Sequence, residues 1–516
     1  MKYAVILVLG LGILCYQNAA GYNILGISHT PGKSHYILQA ALMKGLAEAG
    51  HNVTIVAPYK QQHPVKNLRE IVLNVKIPDG LSKILFHLTQ SSTKQQLDDM
   101  FNFGLTFTND TLGDPKMQAL MSSDEKFDMI IFDIFYSEAL LGLGHLFNAP
   151  VVVFSTFVAS KGSTDLNGSP SPLSYVPHFQ FTYTDRMSFS QRLANTLLTT
   201  FENVYSTIYY YEMQEVLYNQ YFSEPKPKLD DLWRTSVPLV LLNSHFSLSY
   251  PRPYLPNMIE IGGFHVNKTP KALPEDLKKF LDSEVNGVIY FSMGSTVLSV
   301  DMPQERRDAL LKAFSKLPMK VMWKWEDDYL PGKPDNVLIR KWFPQNDILA
   351  HPNVKLFITH GGLLSTMEAT WFGVPVIGLP VFGDQFMNMA KTVAADYGLT
   401  VALTNLTENS ISWAINEVLT KETYSRKAKA ISSRFRDQES DPMERAIYWI
   451  EYVARHGGAR HLVSGAQDLH FIQYHNLDVF AFLILVPVLL LLTLKWIIKK
   501  LFCKSPRKQD LKKKHK

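Results

Sequence analysis

A chain of 516 residues, 46% hydrophobic and 19% charged, is globular in composition and long enough to bury two cores of ordinary size, which excludes a disordered protein. Its formal net charge of +5 sits at one end, where Lys495 onward carries ten Lys and Arg against the single acid Asp510. The rest of the chain is slightly acidic, which excludes a basic face for nucleic acid, so no nucleic-acid partner is expected.

Met1-Lys2, an apolar run over 4–15 and the small residues Ala19-Ala20-Gly21 have the layout of a cleaved signal peptide over 1–21. The run is too short to span a bilayer. A strand over 23–27, a polar loop over 28–34, a helix ending at Ala49, then Gly50 and a strand over 53–57 make a βαβ opening. Buried strands follow at 129–132, ending at Asp133, and at 151–154. Pro and Gly then cluster over 251–274, which reads as a linker. A second unit starts near Val288, with a strand over 288–291, the turn Met293-Gly294-Ser295 and a helix over 304–316. Strands at 321–323, 337–339, 356–358 and 376–378 complete it. The expected fold class is α/β, with two doubly wound domains over 22–250 and 275–476 and ligands beyond the carboxyl ends of the strands.

The stretch 479–494 is uncharged and Trp496-Ile497-Ile498 extends it, so a transmembrane helix is expected over 477–498, spanning ~30 Å. Pro487 is tolerable there, and Lys495 can snorkel. The basic tail, 499–516, is expected in the cytosol by the positive-inside rule, which leaves the α/β domains luminal in a single-pass type I arrangement. Lys513 and Lys514 have the spacing of a dilysine signal for retrieval to the endoplasmic reticulum. The only cysteines, Cys15 and Cys503, fall in the signal and the tail, so no disulfide framework is expected in the lumen. Sequons at Asn109, Asn167, Asn267 and Asn405 are candidate glycan sites. Asn52-Val53-Thr54 also matches, but lies in an expected buried strand and should stay bare.

The most informative segment holds Trp342-Phe343-Pro344-Gln345, then Phe357-Ile358-Thr359-His360-Gly361-Gly362, Glu368 and Asp384-Gln385. Glycines after a strand let a diphosphate approach backbone N–H groups at the positive end of a helix. His360 adds a donor there. Trp342 offers a flat face for uracil and Gln345 an amide for its edge. Glu368 suits paired ribose hydroxyls, and Asp384 with Gln385 suits sugar hydroxyls.

Segment 342–385 closely resembles the signature of the UDP-glycosyltransferases, in the membrane-bound branch of glucuronosyltransferases and their insect-type relatives, and the resemblance extends over most of the chain. It implies the GT-B fold, two Rossmann-like domains with the nucleotide sugar held mainly by the second, and it adds Ser295 and Lys324 as phosphate contacts. It also implies a histidine base, His35, oriented by Asp133. His29, in the same loop, is the competitor and falls outside the family match. The expected reaction is inverting, metal-independent hexosyl transfer from a UDP-sugar co-substrate, with no bound cofactor, to a hydroxyl of a small lipophilic acceptor, as in detoxification. No Asp-x-Asp triplet or histidine–cysteine cluster suggests a metal site. Leu364 stands where plant and vertebrate relatives usually carry Asn, and the insect-type branch commonly shows Leu. Leu242 stands where vertebrate glucuronosyltransferases tend to carry Arg, which favours glucose over glucuronate.

Two other readings compete. A nicotinamide oxidoreductase would need three spaced glycines after the first strand, and Gly26 and Gly32 flanking Ser28-His29-Thr30 do not supply them. A non-catalytic luminal carrier of lipophilic ligands on a transferase fold would be expected to lose His35 or Asp133. The aromatic stretches 179–183 and 209–211 are candidates for an apolar acceptor pocket. Homo- and hetero-oligomers are both compatible with the sequence.

Overall fold

The computed structural model describes residues 21–88 and 91–502. The signal peptide, Cys15, Cys503, the tail, Lys513 and Lys514 lie outside the described residues, apart from Gly21 and the first residues after 498.

Two parallel sheets carry the chain up to Ser464. The first comprises β1 Asn23–Ile27, β2 Asn52–Ala57, β3 Leu68–Val72, β4 Met129–Asp133, β5 Val151–Ser155, β6 Leu239–Leu242 and β7 Met258–Glu260, in the order β3-β2-β1-β4-β5-β6-β7. The second comprises β8 Val288–Ser292, β9 Lys320–Lys324, β10 Val337–Arg340, β11 Val354–Thr359, β12 Val376–Gly378 and β13 Gly398–Thr400, in the order β10-β9-β8-β11-β12-β13. Strands such as Met-Ile-Ile-Phe-Asp and Val-Val-Val-Phe-Ser are buried along their whole length, as a sheet covered by helices on both faces requires. Their side chains divide by the two-residue period of a strand. Ile130, Phe132, Val151 and Val153 enter one core, and Met129, Ile131, Val152 and Phe154 the other.

Strand order reverses between β1 and β4 in the first sheet and between β8 and β11 in the second. Ile27 is in register with Phe132, and Phe291 with Ile358. The loops leaving these pairs diverge over a crevice, which is where open α/β sheets take ligands. Helices α1 Lys33–Glu48, α2 Thr93–Gly113, α3 Leu363–Phe372 and α4 Gln385–Ala394 border these crevices together with the loops that leave the strands.

The structure differs from the expected linker. Within 251–274, Met258–Glu260 is β7, in parallel register with β6, so the first sheet runs on through this stretch. Three residues between Pro- and Gly-rich turns are too few to show a strand period. The chain also returns to the first domain late. Helix α5, Pro442–Arg455, is capped by Asp441, whose carboxylate accepts from the Met443 and Glu444 N–H groups, and it starts with proline at its first position. Its Ala446, Ile450 and Val453 are fully buried in the core that holds Ile24, Leu38 and Leu42, and Arg445 donates to the Glu260 carbonyl at 3.2 Å. The span 275–476 is therefore not one spatial unit.

The segment from Gly465 is a separate unit. Its helix α6, Leu477–Phe502, has 26 residues with a mean hydropathy of 2.7 in its most apolar window and is long and apolar enough to cross a bilayer. It runs past the expected end at 498 because Lys499 and Lys500 are good helix formers and no breaker intervenes.

Candidate active site

The cleft wall built by the second sheet rests on a close backbone approach. Strand β11 ends at Thr359, His360 follows, and Gly362 caps α3 without any side-chain hydrogen bond to the first-turn N–H groups. These groups and the helix dipole are available to an anion. The His360 ring is wedged between glycines: a Cβ on Gly294 would lie 2.5 Å from its Cε1, and one on Gly362 would lie 2.4 Å from its Nε2. Gly294 and Gly361 also take left-handed φ values of 88° and 84°. Burial, and then the nearby Lys324 charge, push the His360 imidazole down to about 4, so it is neutral at ordinary pH and presents one N–H.

The polar side chains of this wall hold one another. The Gln345 amide donates to Glu368 Oε2 at 2.6 Å and to Ser365 Oγ at 2.9 Å, while its oxygen accepts from the Tyr290 hydroxyl at 3.2 Å. Burial raises the Glu368 carboxyl to about 7. Lys324, at the carboxyl end of β9, is 5% exposed and donates to Glu326 at 2.6 Å. Trp342 is 53% exposed, and Lys33 of the first domain stands over its ring, 4.1 Å from the centroid. Asp384 accepts from Asn388 Nδ2 at 2.7 Å, and burial raises its carboxyl to about 6. Gln385 is less free than expected, since its oxygen accepts from the Val381 and Phe382 N–H groups at 2.8 and 3.1 Å. Only its NH₂ end remains for a ligand.

The opposite wall comes from the first sheet's switch point. His35 is on the first turn of α1, and Asp133 ends β4. His35 Nδ1 is hydrogen-bonded to Asp133 Oδ2, and Thr156 Oγ1 lies 3.0 Å from the same nitrogen and 3.3 Å from Asp133 Oδ1. Asp133 is 1% exposed, whereas His35 keeps access to the cleft between the edges of Phe135 and Phe157. His29 is fully buried, with Nε2 on the Phe135 carbonyl at 2.9 Å, and burial pushes it down to about 4. It does not reach the cleft.

One cavity of about 360 Å³ is lined from both sides, by His35 and by Ser295, Lys324, Trp342, Gln345, His360, Gly362, Glu368, Asp384 and Gln385. Gly361 is not among the lining residues, and a Cβ there would lie 2.7 Å from Met389 Cγ. Leu364 lines it as well, and no carboxamide stands at that point. A second cavity of about 240 Å³ adjoins along Phe135, Phe157, Phe382 and Asp384, and Phe179, Tyr210 and Tyr211 of the two aromatic stretches line it. Thr156 was not singled out from sequence. Its only signal is a hydroxyl just past the carboxyl end of the strand beside Asp133.

Three expectations change. Leu242 is fully buried in the first sheet's core and lines neither cavity, so it makes no contact with a donor sugar there. Asn167 is 1% exposed and exchanges amide hydrogen bonds with Asn257 at 2.8 and 2.6 Å, a packed pair with no room for a glycan. Asn52 is exposed at the start of β2, although Thr54 of its sequon is buried. Asn405 is exposed, and Asn109 and Asn267 are half-buried. Among the described residues no cluster of three or more His, Cys, Asp or Glu side chains could hold a metal ion.

Two doubly wound sheets with their switch points lining one cavity define the GT-B fold. A solved structure titled "Crystal Structure Analysis of the Glycotransferase of kitacinnamycin" shares this fold, with a TM-score of 0.58 and 16% identity over 84% of this chain and 99% of that one. The chain belongs to the UDP-glucoronosyl and UDP-glucosyl transferase family, whose model matches residues 32–516. It is 36% identical to UDP-glucosyltransferase 2 of Dactylopius coccus, over 98% of this chain and 99% of that protein. It is 31% identical to human UDP-glucuronosyltransferase 2B15, over 87% of this chain and 88% of the relative. It is an enzyme that transfers sugar from a UDP-sugar to an acceptor.

Proposed function

We propose that the chain transfers glucose, with inversion and without a metal, from UDP-glucose to a hydroxyl of a small lipophilic acceptor, as a detoxifying enzyme would. The observation that carries this reading is the His35–Asp133–Thr156 hydrogen-bond cluster facing the same cavity as the nucleotide-sugar residues. With Nδ1–H donated to Asp133, His35 Nε2 is left as the acceptor of a proton. It takes the acceptor's hydroxyl proton as that oxygen bonds to the anomeric carbon. The bond from that carbon to the diphosphate oxygen breaks on the far side, and UDP leaves with the electron pair.

His360, Lys324 and the N–H groups at the start of α3 stabilise the charge that develops on the diphosphate, the part a divalent cation would otherwise play. Trp342, Gln345 and Glu368 hold the nucleoside, and Asp384 with Gln385 holds the hexose. Glucose is favoured because the relative matched over nearly the whole chain is named a glucosyltransferase. The single apolar C-terminal helix supports membrane anchoring, and the basic tail favours a luminal catalytic part in the endoplasmic reticulum.

A transfer assay on microsomes, with p-cresol as acceptor and chelator present, compares UDP-glucose with UDP-glucuronate. Glucoside formed by the wild type and lost in His35→Ala, with UDP-glucose binding kept, is the expected outcome. Near-normal turnover by His35→Ala would overturn the assignment of the base. Glucuronide as the product would overturn the donor.

A further inference from the structure

The second cavity is aromatic but not neutral. Four carboxyls line it, and each has its own partner. Tyr210 donates to Glu138, Lys161 to Asp165 and Asn388 to Asp384, while Glu202 is bonded to His178. Two cations on the same lining, Arg252 and Lys391, have no carboxylate within salt-bridge distance among the described residues. Arg252 spends NH1 on the Ala159 carbonyl at 2.8 Å and NH2 on Ser171 Oγ at 3.0 Å, and its Nε–H is buried without an acceptor. Lys391 has its ammonium 5.4 Å from the centre of the Tyr250 ring and no ion pair. It lies two helical turns after Asp384 along α4, on the same face. Two carboxyls act on the Lys391 charge from beyond salt-bridge distance: Asp384, the stronger, which is bonded to Asn388, and Glu260, which is outside the cavity and bonded to Ser244.

Burying two like charges in one cavity with no carboxylate in contact with either is unfavourable, and here burial, only partly offset by the Asp384 charge, lowers Lys391 to about 8, and burial draws Arg252 down as well. The arrangement becomes favourable once an anion enters between them. A guanidinium with a free Nε–H and an ammonium, in a chamber walled by tyrosines, suit a carboxylate attached to an aromatic body.

We propose that Arg252 and Lys391 form a carboxylate-binding subsite in this cavity, which selects ligands that carry an acid group as well as the reacting hydroxyl. This rests on the proposed reading of the cavity as the acceptor side. The same chemistry would also serve a carboxylate on the donor hexose, and the experiment separates the two sources.

The test uses the full-length chain in microsomes, with p-cresol and p-hydroxyphenylacetate as acceptors that share the phenol and differ in the carboxylate. Arg252→Gln and Lys391→Met should each raise KM for p-hydroxyphenylacetate roughly tenfold or more while p-cresol changes less than about twofold. Lys391→Arg, which keeps the charge, should retain the preference. With p-cresol fixed, loss of UDP-glucuronate use alone would uphold the subsite and assign its anion to the sugar. Equal effects on both acceptors and both donors, or no effect on any, would overturn the proposal. Should the wild type glycosylate neither phenol, the proposed function fails. Equilibrium dialysis of p-hydroxyphenylacetate against the solubilised chain and its variants then still reads the subsite, and binding unchanged by Lys391→Met would overturn it.

Discussion

The wall of the cleft built by the second sheet draws most of its polar side chains from one run of sequence, 342–385, and its members are bonded to one another before any ligand enters. The aromatic cavity of the first domain takes its lining from separate stretches near residues 100, 135, 160, 178, 206 and 252, and borrows Asp384 and Lys391 from the second. A donor common to many reactions can be held by a fixed, preorganised motif. An acceptor that varies is met by loops that a rigid sheet positions and that can change independently. On this contrast, substitutions in the first wall should impair every reaction, and substitutions in the second should change which acceptor is used.

The largest effect is expected where the walls meet. Asp133→Ala removes the group that fixes His35 Nδ1, and kcat should fall by about 10²- to 10⁴-fold with every acceptor while KM for the UDP-sugar holds. Steady-state kinetics with two unrelated phenols would check this. Gly362→Ala drives a methyl into the His360 ring, and displacement of that donor should cost roughly 100-fold in kcat/KM for the donor. A folded variant with normal donor kinetics would break the claim that the glycine exists for this approach. Trp342→Ala should weaken UDP binding roughly tenfold, the loss of one stacked base, and calorimetry with UDP alone would measure it.

A smaller effect separates the walls by pH. Burial holds the Glu368 carboxyl near 7 instead of the ordinary 4.5. Between those values the folded chain keeps a proton that the unfolded chain has released. This group therefore favours folding fully below about 4.5, and that contribution is lost as pH rises through about 7. Ribose hydroxyls need its carboxylate form, so UDP affinity should rise as pH rises through about 7, and Glu368→Gln should flatten that dependence. The smallest effect is expected from Phe157→Ala, which should shift acceptor KM a few-fold and leave the donor's unchanged, by loss of about one aromatic contact.

The sequence by itself determined both doubly wound halves, the donor motif and the apolar C-terminal helix. Each is local: strands read as apolar runs, glycines mark the turns that need them, and a bilayer-spanning length is a count of residues. The pairing of His35 with Asp133 was legible only through family resemblance, since 98 residues separate them and the parallel register of β1 with β4 is what joins them. Tertiary structure alone decided the rest. It recruited β7 out of a stretch that reads as linker, returned α5 to the first sheet, buried Asn167 and Leu242, and excluded His29 from the cleft. It also brought Arg252 and Lys391 into one cavity, with no carboxylate within salt-bridge distance of either among the described residues. Burial and charge pairing are properties of neighbours in space, and a sequence does not state which neighbours a distant loop will have.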